Sequence, residues 1–497
     1  MFSLAVILAA AVAVPPPTSA PNVPAPDAVT KHTIQLGGKD YPYTARAGTI
    51  ALENDKNETT ASMFYTAFTV DGADAHTRPV TFFYNGGPGS STIWLRMGSF
   101  GPVRVSVGDG VPTPSAPFGL NSNPYSLLDR SDLVFVDAPG TGFSRITGAG
   151  TPKDFYGVDP DVRAFSQFVS RYLSTYGRWN SPKFLFGESY GTPRSAMLVQ
   201  ALQRQGVGIN GVVLLSSVLD FGLAWDVNFS PAAIGGGDWA FPLYLPTEAA
   251  SAWYHHALPG PPTTLGDLLP RVEAFAMNEY LNALAQGANL SPGTYNDVVA
   301  KLHEYTGLSE RYIRDSNLRI PYYRFEAELF RNNGIMIGRY DARYTSYMLD
   351  RLQERPDFDP TDSAIDAAFV ATGNTYMRDV LGYHTTAVYQ PTINVFRQWD
   401  WKHNGALPTN TAQDLAAAMV FNPNLRVFSA NGYYDFATPF FATVYTLNHL
   451  QLSPELQSHI SYGFYESGHM VYLHTPALAQ FHDDLERWYS QTLQAGR

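Results

Sequence analysis

Lys183-Phe-Leu-Phe-Gly-Glu-Ser-Tyr-Gly191 is an apolar run that stops at a serine bracketed by glycines, and it limits what the surrounding chain can fold into. A strand that turns at once into a helix brings two backbones together beneath the corner residue. The positions two before and two after the corner then have no space for a side chain. Gly187, Ser189 and Gly191 fit that corner. Pro193 is tolerated only in the first turn of a helix, so a helix should begin directly after the serine. Five-residue patterns of this kind also arise by chance in chains this long, so Ser189 carries weight only if the sequence supplies partners for it.

Composition narrows the classes. The 497 residues are 45% hydrophobic and 15% charged, which suits a large core under a sparsely charged surface. A net charge of -11 argues against a nucleic-acid partner, and no basic run is dense enough for a phosphate or membrane footprint. The absence of cysteine removes disulfides, thiol nucleophiles and cysteine-ligated zinc, and no cofactor or metal is called for. Residues 1–14 form an apolar run too short to span a bilayer, followed by Pro15-Pro-Pro17 and Thr18-Ser-Ala20. This predicts a signal peptide over 1–20, although no Lys or Arg precedes it, then a linker over 21–30. The mature chain is accordingly expected to be secreted or periplasmic and free of the membrane. Sequons at Asn57, Asn228 and Asn289 are short matches that add little.

The stretch from Lys31 to Asp71 alternates apolar and polar residues, as in His32 to Leu36 and Met63 to Val70, and predicts antiparallel edge strands. From Val80 the character changes to runs that read as buried: Val80 to Tyr84, Leu133 to Val136, Lys183 to Phe186, Val212 to Leu215 and Arg426 to Ser429. Such runs suit parallel strands covered on both faces. Between two of them, Asp159 and Pro160 begin a helix whose Val162, Phe165, Phe168, Val169, Tyr172, Leu173 and Tyr176 form one face. Strand–helix alternation gives an α/β doubly wound sheet, mostly parallel. From Leu219 to Asn404 the texture is helical, with helices expected over 270–284 and 294–305. This reads as a cap inserted between the two parts of the sheet domain, 31–218 and 405–497. A last amphipathic helix is expected from Pro476 to Leu493.

A serine that performs acyl transfer needs a base, a carboxylate to orient it, and two N–H donors where the oxyanion forms. Asn85-Gly-Gly-Pro-Gly-Ser-Ser91 follows the strand ending at Tyr84, the usual source of one donor, so Gly87 and Tyr190 are the candidate oxyanion pair. A glycine-rich loop also suits phosphate, but G-K-[ST] is absent and Pro88 interrupts the loop. Asp435 and His469 follow the last two strands in the order Ser, Asp, His expected of such hydrolases. Singly, an Asp in a turn or one His among twelve is usually structural; their joint placement gives them weight.

Six blocks then carry a resemblance: Asn85 to Ser91, Asn123-Pro-Tyr-Ser126, Leu133 to Ser144, Gly187-Glu-Ser-Tyr190, Gly432-Tyr-Tyr-Asp435 and Gly468-His-Met-Val471. In this order they resemble the serine carboxypeptidase family, peptidase family S10, whose fold is an α/β hydrolase with a helical cap. The continuation Gly191-Thr-Pro-Arg194 is similar to the bacterial-type branch. The resemblance implies that Ser189 is the nucleophile, His469 the base and Asp435 its orienter, with Gly87 and Tyr190 as oxyanion donors. It implies that Asn85 and Glu188 bind the terminal carboxylate of a peptide substrate, at acidic pH because two carboxyl groups in contact must share a proton.

The chain departs from the family at three points. Phe83 stands where a tryptophan is expected, Ser99 where an acidic residue completes the carboxylate grip, and Ser90 where several members carry cysteine. Arg96 and Arg194 lie near the two functional loops; each is either a carboxylate clamp or a structural arginine. An esterase or acyltransferase on the same triad, and a catalytically silent binding protein, are the competing readings.

Overall fold

The computed structural model describes residues 25–223, 237–261 and 263–495. The expected signal peptide, the first part of the linker and the sequon at Asn228 lie outside the described residues. Nine principal strands make one sheet: β1 (Ala28–Leu36), β2 (Lys39–Glu53), β3 (Thr59–Val70), β4 (Val80–Tyr84), β5 (Asp132–Val136), β6 (Lys183–Glu188), β7 (Gly211–Leu215), β8 (Arg426–Gly432) and β9 (Ile460–Tyr465). Their spatial order is β1-β2-β3-β5-β4-β6-β7-β8-β9, and Arg145–Ile146 adds a short pairing to β3.

Periodicity accounts for the two halves of the sheet. β1 alternates between exposed and covered positions, and the β1–β2, β2–β3 and β3–β5 pairs are antiparallel. Of these N-terminal strands only β1 is an edge; β3 is joined to the parallel set, so they extend the sheet rather than flank it. Every residue of β4, β5, β6 and β7 is buried, and these strands pair in parallel through to β9. Successive residues feed opposite layers. Phe83 and Phe186 pack with Phe481 and Trp488 of the C-terminal helix, whereas Phe82 and Leu185 pack with Phe165 and Leu198 of the helices on the other face. This is the α/β-hydrolase architecture.

Two helices flank the strand that carries Ser189: α1 (Val158–Thr175) before it and α2 (Gly191–Arg204) after it. α1 begins before the Asp159-Pro160 pair rather than at it, because Gly157 takes the cap position and the Val158 N–H donates to the Asp400 carbonyl oxygen at 2.9 Å. Pro193 does lie in the first turn of α2.

Between β7 and β8 the chain builds helices including Ala240–Tyr254, Leu265–Phe275 and Pro292–Thr306, which share a core of residues such as Leu245, Val272, Leu302 and Phe325, and Pro360–Thr375, whose Ile365 and Phe369 join the core on one face of the sheet. A small hairpin, Ile335–Ile337 with Thr345–Tyr347, interrupts this helical texture. The helix expected to start at Pro270 starts at Leu265 instead: Thr264 caps it by accepting from the Asp267 N–H, and Pro270 is carried inside. Among the described residues no helix is long and apolar enough to cross a membrane.

β4 lies between β5 and β6, so the chain leaves its C-terminal end in one direction and returns on the other side. In open α/β sheets, the crevice at such a switch point is where ligands bind. The loops after β4 and β6 therefore meet at the natural site of the fold.

The helical segment between β7 and β8 also contains a buried acid. Glu248 is only 5% exposed, and burial alone pushes its pKa from 4.5 up to about 8. The folded chain thus holds a proton that the unfolded chain has released, and stability falls as pH rises from about 4.5 to about 8. Glu248→Gln removes this loss. By calorimetry the variant should gain about 2–5 °C in Tm over the parent at pH 8 and close to nothing at pH 4.5; an equal offset at both pH values contradicts the assignment.

Candidate active site

Ser189 occupies a left-handed corner, with φ of 59°. A residue with a side chain reaches this region only under strain that the surroundings must hold in place. The Ser189 N–H donates to the Leu215 carbonyl oxygen of β7 at 3.0 Å, which ties the corner to the neighbouring strand. A Cβ on Gly187 would lie 2.1 Å from the Gly191 carbonyl oxygen, and one on Gly86 would lie 2.3 Å from the Tyr190 amide nitrogen. The loop after β4 and the corner after β6 therefore touch backbone to backbone. Among the described residues, the N–H groups of Gly87 and Tyr190 donate to no protein acceptor, and both residues border the space beside Ser189.

Asp435 and His469 come from the loops after β8 and β9, as their order in the chain led one to expect. His469 Nδ1 lies 2.8 Å from Asp435 Oδ2. The other oxygen of Asp435 accepts from the N–H groups of Ala437 (2.8 Å) and Thr438 (3.0 Å), while the Thr438 hydroxyl donates to Oδ2 at 2.7 Å. The His469 backbone is fixed on both sides: its N–H donates to the Tyr340 carbonyl at 2.6 Å, and its carbonyl accepts from the Ser216 hydroxyl at 2.6 Å. Burial pushes the imidazole pKa down, but Asp435 and then Glu188 more than offset this, and it ends above its ordinary value. An aspartate on Nδ1 holds the proton there and leaves Nε2 free to accept one. The Ser189 hydroxyl makes no hydrogen bond to a described residue; in unliganded hydrolases the nucleophile–base contact is commonly long.

Ser189 and His469 line one cavity of about 240 Å³, together with Asn85, Gly87, Trp94 and Glu188. Asn85 and Glu188 are each 3% exposed. Burial raises the Glu188 pKa to about 7, against the opposing pull of His469 and of the hydroxyl of Tyr472, which donates to Oε2 at 3.0 Å; the Asn85 amide also faces this carboxyl. The helix Pro360–Thr375 also lines this cavity, through Asp362 and Asp366. Desolvation, then Asp359 and Asp366, raise Asp362 to about 8; Asp366 at the exposed rim reaches about 6 through partial desolvation and Asp359. A smaller cavity of about 40 Å³ lies on the other side of Ser189, walled by Phe221, Tyr340, Phe396 and Trp401.

The family's departures take definite places. Ser99 is buried with its hydroxyl turned back to the Leu95 carbonyl at 2.6 Å, away from the cavity wall. Phe83 is stacked between Phe135 and Phe186, each ring centre 4.7 Å away, and belongs to the core. Ser90 lines the cavity. Neither arginine reaches it. Arg96 donates to the Thr66 hydroxyl at 2.9 Å and to the Met377 sulfur at 3.0 Å. Arg194 pairs with Asp161 at 2.6 Å. Both guanidinium groups are bonded within the protein and do not line the cavity, which overturns the clamp reading of each.

Sequence reasoning missed Tyr472, Thr438, Asp362 and Asp366. Tyr472 directly follows the Gly468–Val471 block and Thr438 lies three residues past Asp435, so proximity was an available signal. Asp362 and Asp366, four apart on one helix, look like any solvated helix face in the sequence.

Serine carboxypeptidase-like 33 from Arabidopsis thaliana is 29% identical over 152 residues, covering 30% of this chain and 30% of that protein. A carboxypeptidase Y homolog from Arthroderma benhamiae is 32% identical over 131 residues, 26% of this chain and 24% of that protein. The matches thus span about a quarter to a third of these relatives' lengths. Among solved structures, proline iminopeptidase from Mycobacterium smegmatis aligns at 15% identity over 91% of this chain and 100% of that one, with a TM-score of 0.39; the fold stands on strand order instead. Residues 41–221 match the family model of the serine carboxypeptidases, Peptidase S10, and this match, with the plant and fungal relatives, supports that family for the chain.

Proposed function

We propose that this chain is a bacterial-type serine carboxypeptidase, secreted or periplasmic, that releases C-terminal residues from peptides through an acyl-enzyme on Ser189. The observation that carries this reading is Glu188: a buried carboxyl, raised to about 7 and bonded to Tyr472, in the same cavity as the strained serine. A site meant for an uncharged ester has no use for it. A site for a terminal carboxylate does, because a carboxyl that keeps its proton donates a hydrogen bond to the incoming carboxylate instead of repelling it.

In this reading His469 Nε2 takes the Ser189 proton as Oγ attacks the last peptide carbonyl, and Asp435 stabilises the imidazolium that forms. The N–H groups of Gly87 and Tyr190 receive the oxyanion. His469 then returns the proton to the leaving amine, and water releases the acyl group by the same path in reverse. The two cavities flanking Ser189 would hold the leaving residue, beside Asn85 and Glu188, and the acyl side, beside Phe221 and Trp401.

Protonation couples the parts. An ionised Glu188 strengthens the hold of His469 on its proton, and a protonated His469 weakens that of Glu188, so the two titrate as a pair. The reactive arrangement has the proton on Glu188 and His469 neutral; the reverse has the same net charge and no base. A bound carboxylate beside Glu188 favours the reactive one.

Two outcomes follow. A fluorophosphonate should label the parent at Ser189 and fail to label Ser189→Ala, as read by intact mass; labelling elsewhere removes the nucleophile assignment. For a blocked dipeptide, KM should rise as pH passes about 7, approaching tenfold per pH unit. A matched ester without a free carboxylate should not show this rise, and Glu188→Gln should flatten it. An unchanged dipeptide profile in Glu188→Gln contradicts the role given to Glu188.

A further inference from the structure

Arg194 is a fully buried cation five residues past the nucleophile, and the chemistry above does not use it. Taking a guanidinium out of water is costly, and the partners that satisfy its donors indicate its task. Nε and Nη2 donate to the two oxygens of Asp161, at 2.6 and 3.1 Å. Nη1 donates at 2.8 Å to the main-chain carbonyl of Asn85. The guanidinium lies 4.2 Å from the ring centre of Phe165, 5.3 Å from that of Tyr84 and 5.5 Å from that of Tyr190.

One side chain thus fastens three segments: α1 through Asp161, α2 through its own backbone, and the loop after β4 through Asn85. The Asn85 side chain is fixed a second time, because its Oδ1 accepts from the Leu95 N–H at 3.1 Å. Held at the carbonyl and at Oδ1, Asn85 has only its NH₂ group to present towards Glu188 and the cavity. The fork geometry of arginine is what permits a bidentate bond to Asp161 and a third bond to Asn85 at once.

We propose that Arg194, braced by Asp161, is a positioning residue for recognition of the substrate's terminal carboxylate: it holds Asn85 in place beside Glu188 and never touches the substrate. This rests on the carboxypeptidase reading above. A purely structural arginine would, when removed, lower turnover of all substrates together. A positioning arginine should instead separate substrates that carry a free carboxylate from those that do not, since Ser189, His469 and Asp435 are held by other contacts.

The test compares the parent with Arg194→Met, Arg194→Lys and Asp161→Asn on a blocked dipeptide and on a blocked ester with the same acyl residue. Expected for Arg194→Met is a dipeptide KM raised about tenfold or more, with dipeptide kcat and ester kcat/KM within about threefold of the parent. Arg194→Lys should recover part of the KM. Equal losses on dipeptide and ester, or no change on either, overturn the positioning role. If Arg194→Met does not fold, Asp161→Asn carries the same comparison, with the same KM-selective loss expected. A parent that cleaves the ester but not the dipeptide overturns the carboxypeptidase reading and this role with it; a parent active on both, with variants that fall equally on both, overturns the positioning role alone.

Discussion

The site depends on one contact: the backbone after β4 lies against the backbone after β6. A Cβ on Gly86 would strike the Tyr190 amide nitrogen, and one on Gly187 would strike the Gly191 carbonyl. That contact is possible because β4 and β6 are parallel neighbours and because the chain leaves β4 in one direction and returns on the other. It brings two unengaged N–H groups, a strained serine, an asparagine and a buried carboxyl into a single crevice. Everything else in the hydrolase region can be understood as holding those two turns together. Arg194 bridges them, the Leu215 carbonyl ties Ser189 to β7, and Tyr472 closes the far side of Glu188.

The electrostatics follow from the same closeness. Glu188 is adjacent to Ser189 in the chain and shares its cavity with His469, so neither group can change its charge without the other responding. Desolvation is the leading cause of the Glu188 shift, which means that packing has set the protonation state. Asp362 and Asp366 extend this pattern within the cavity, where each carboxyl is also raised. A crevice walled by carboxyl groups that resist ionisation is one that an anionic substrate terminus can enter.

Much of this was legible in the sequence, for identifiable reasons. The mostly apolar runs, the Gly187-x-Ser189-x-Gly191 corner and the order of Ser189, Asp435 and His469 are local or ordinal signals, and for the corner backbone sterics forces the meaning. Helix starts were displaced where a tertiary contact supplied the cap, as with the Asp400 carbonyl ahead of α1, or where Thr264 outweighed the presence of Pro270 inside its helix. The arginines were the least legible. Arg96 and Arg194 sit beside functional loops in the chain, yet their partners Thr66, Met377 and Asp161 lie on other elements, and nothing local discloses them. Asp362 and Asp366 were invisible for the same reason: only the folded chain brings Asp362 and Glu188 into one cavity.

The central claim is that recognition of a free C-terminus directs this serine. It is tested most directly by mass spectrometry of one peptide, supplied once with a free carboxylate and once as its C-terminal amide, and incubated with the enzyme just below the value of about 7 at which Glu188 ionises. The free peptide should lose residues stepwise from its C-terminus, and the amide should be trimmed at least about 100-fold more slowly, because a site built to bond a group rejects the analogue that lacks it. Equal trimming of the two peptides, or cleavage at internal bonds, would contradict the claim.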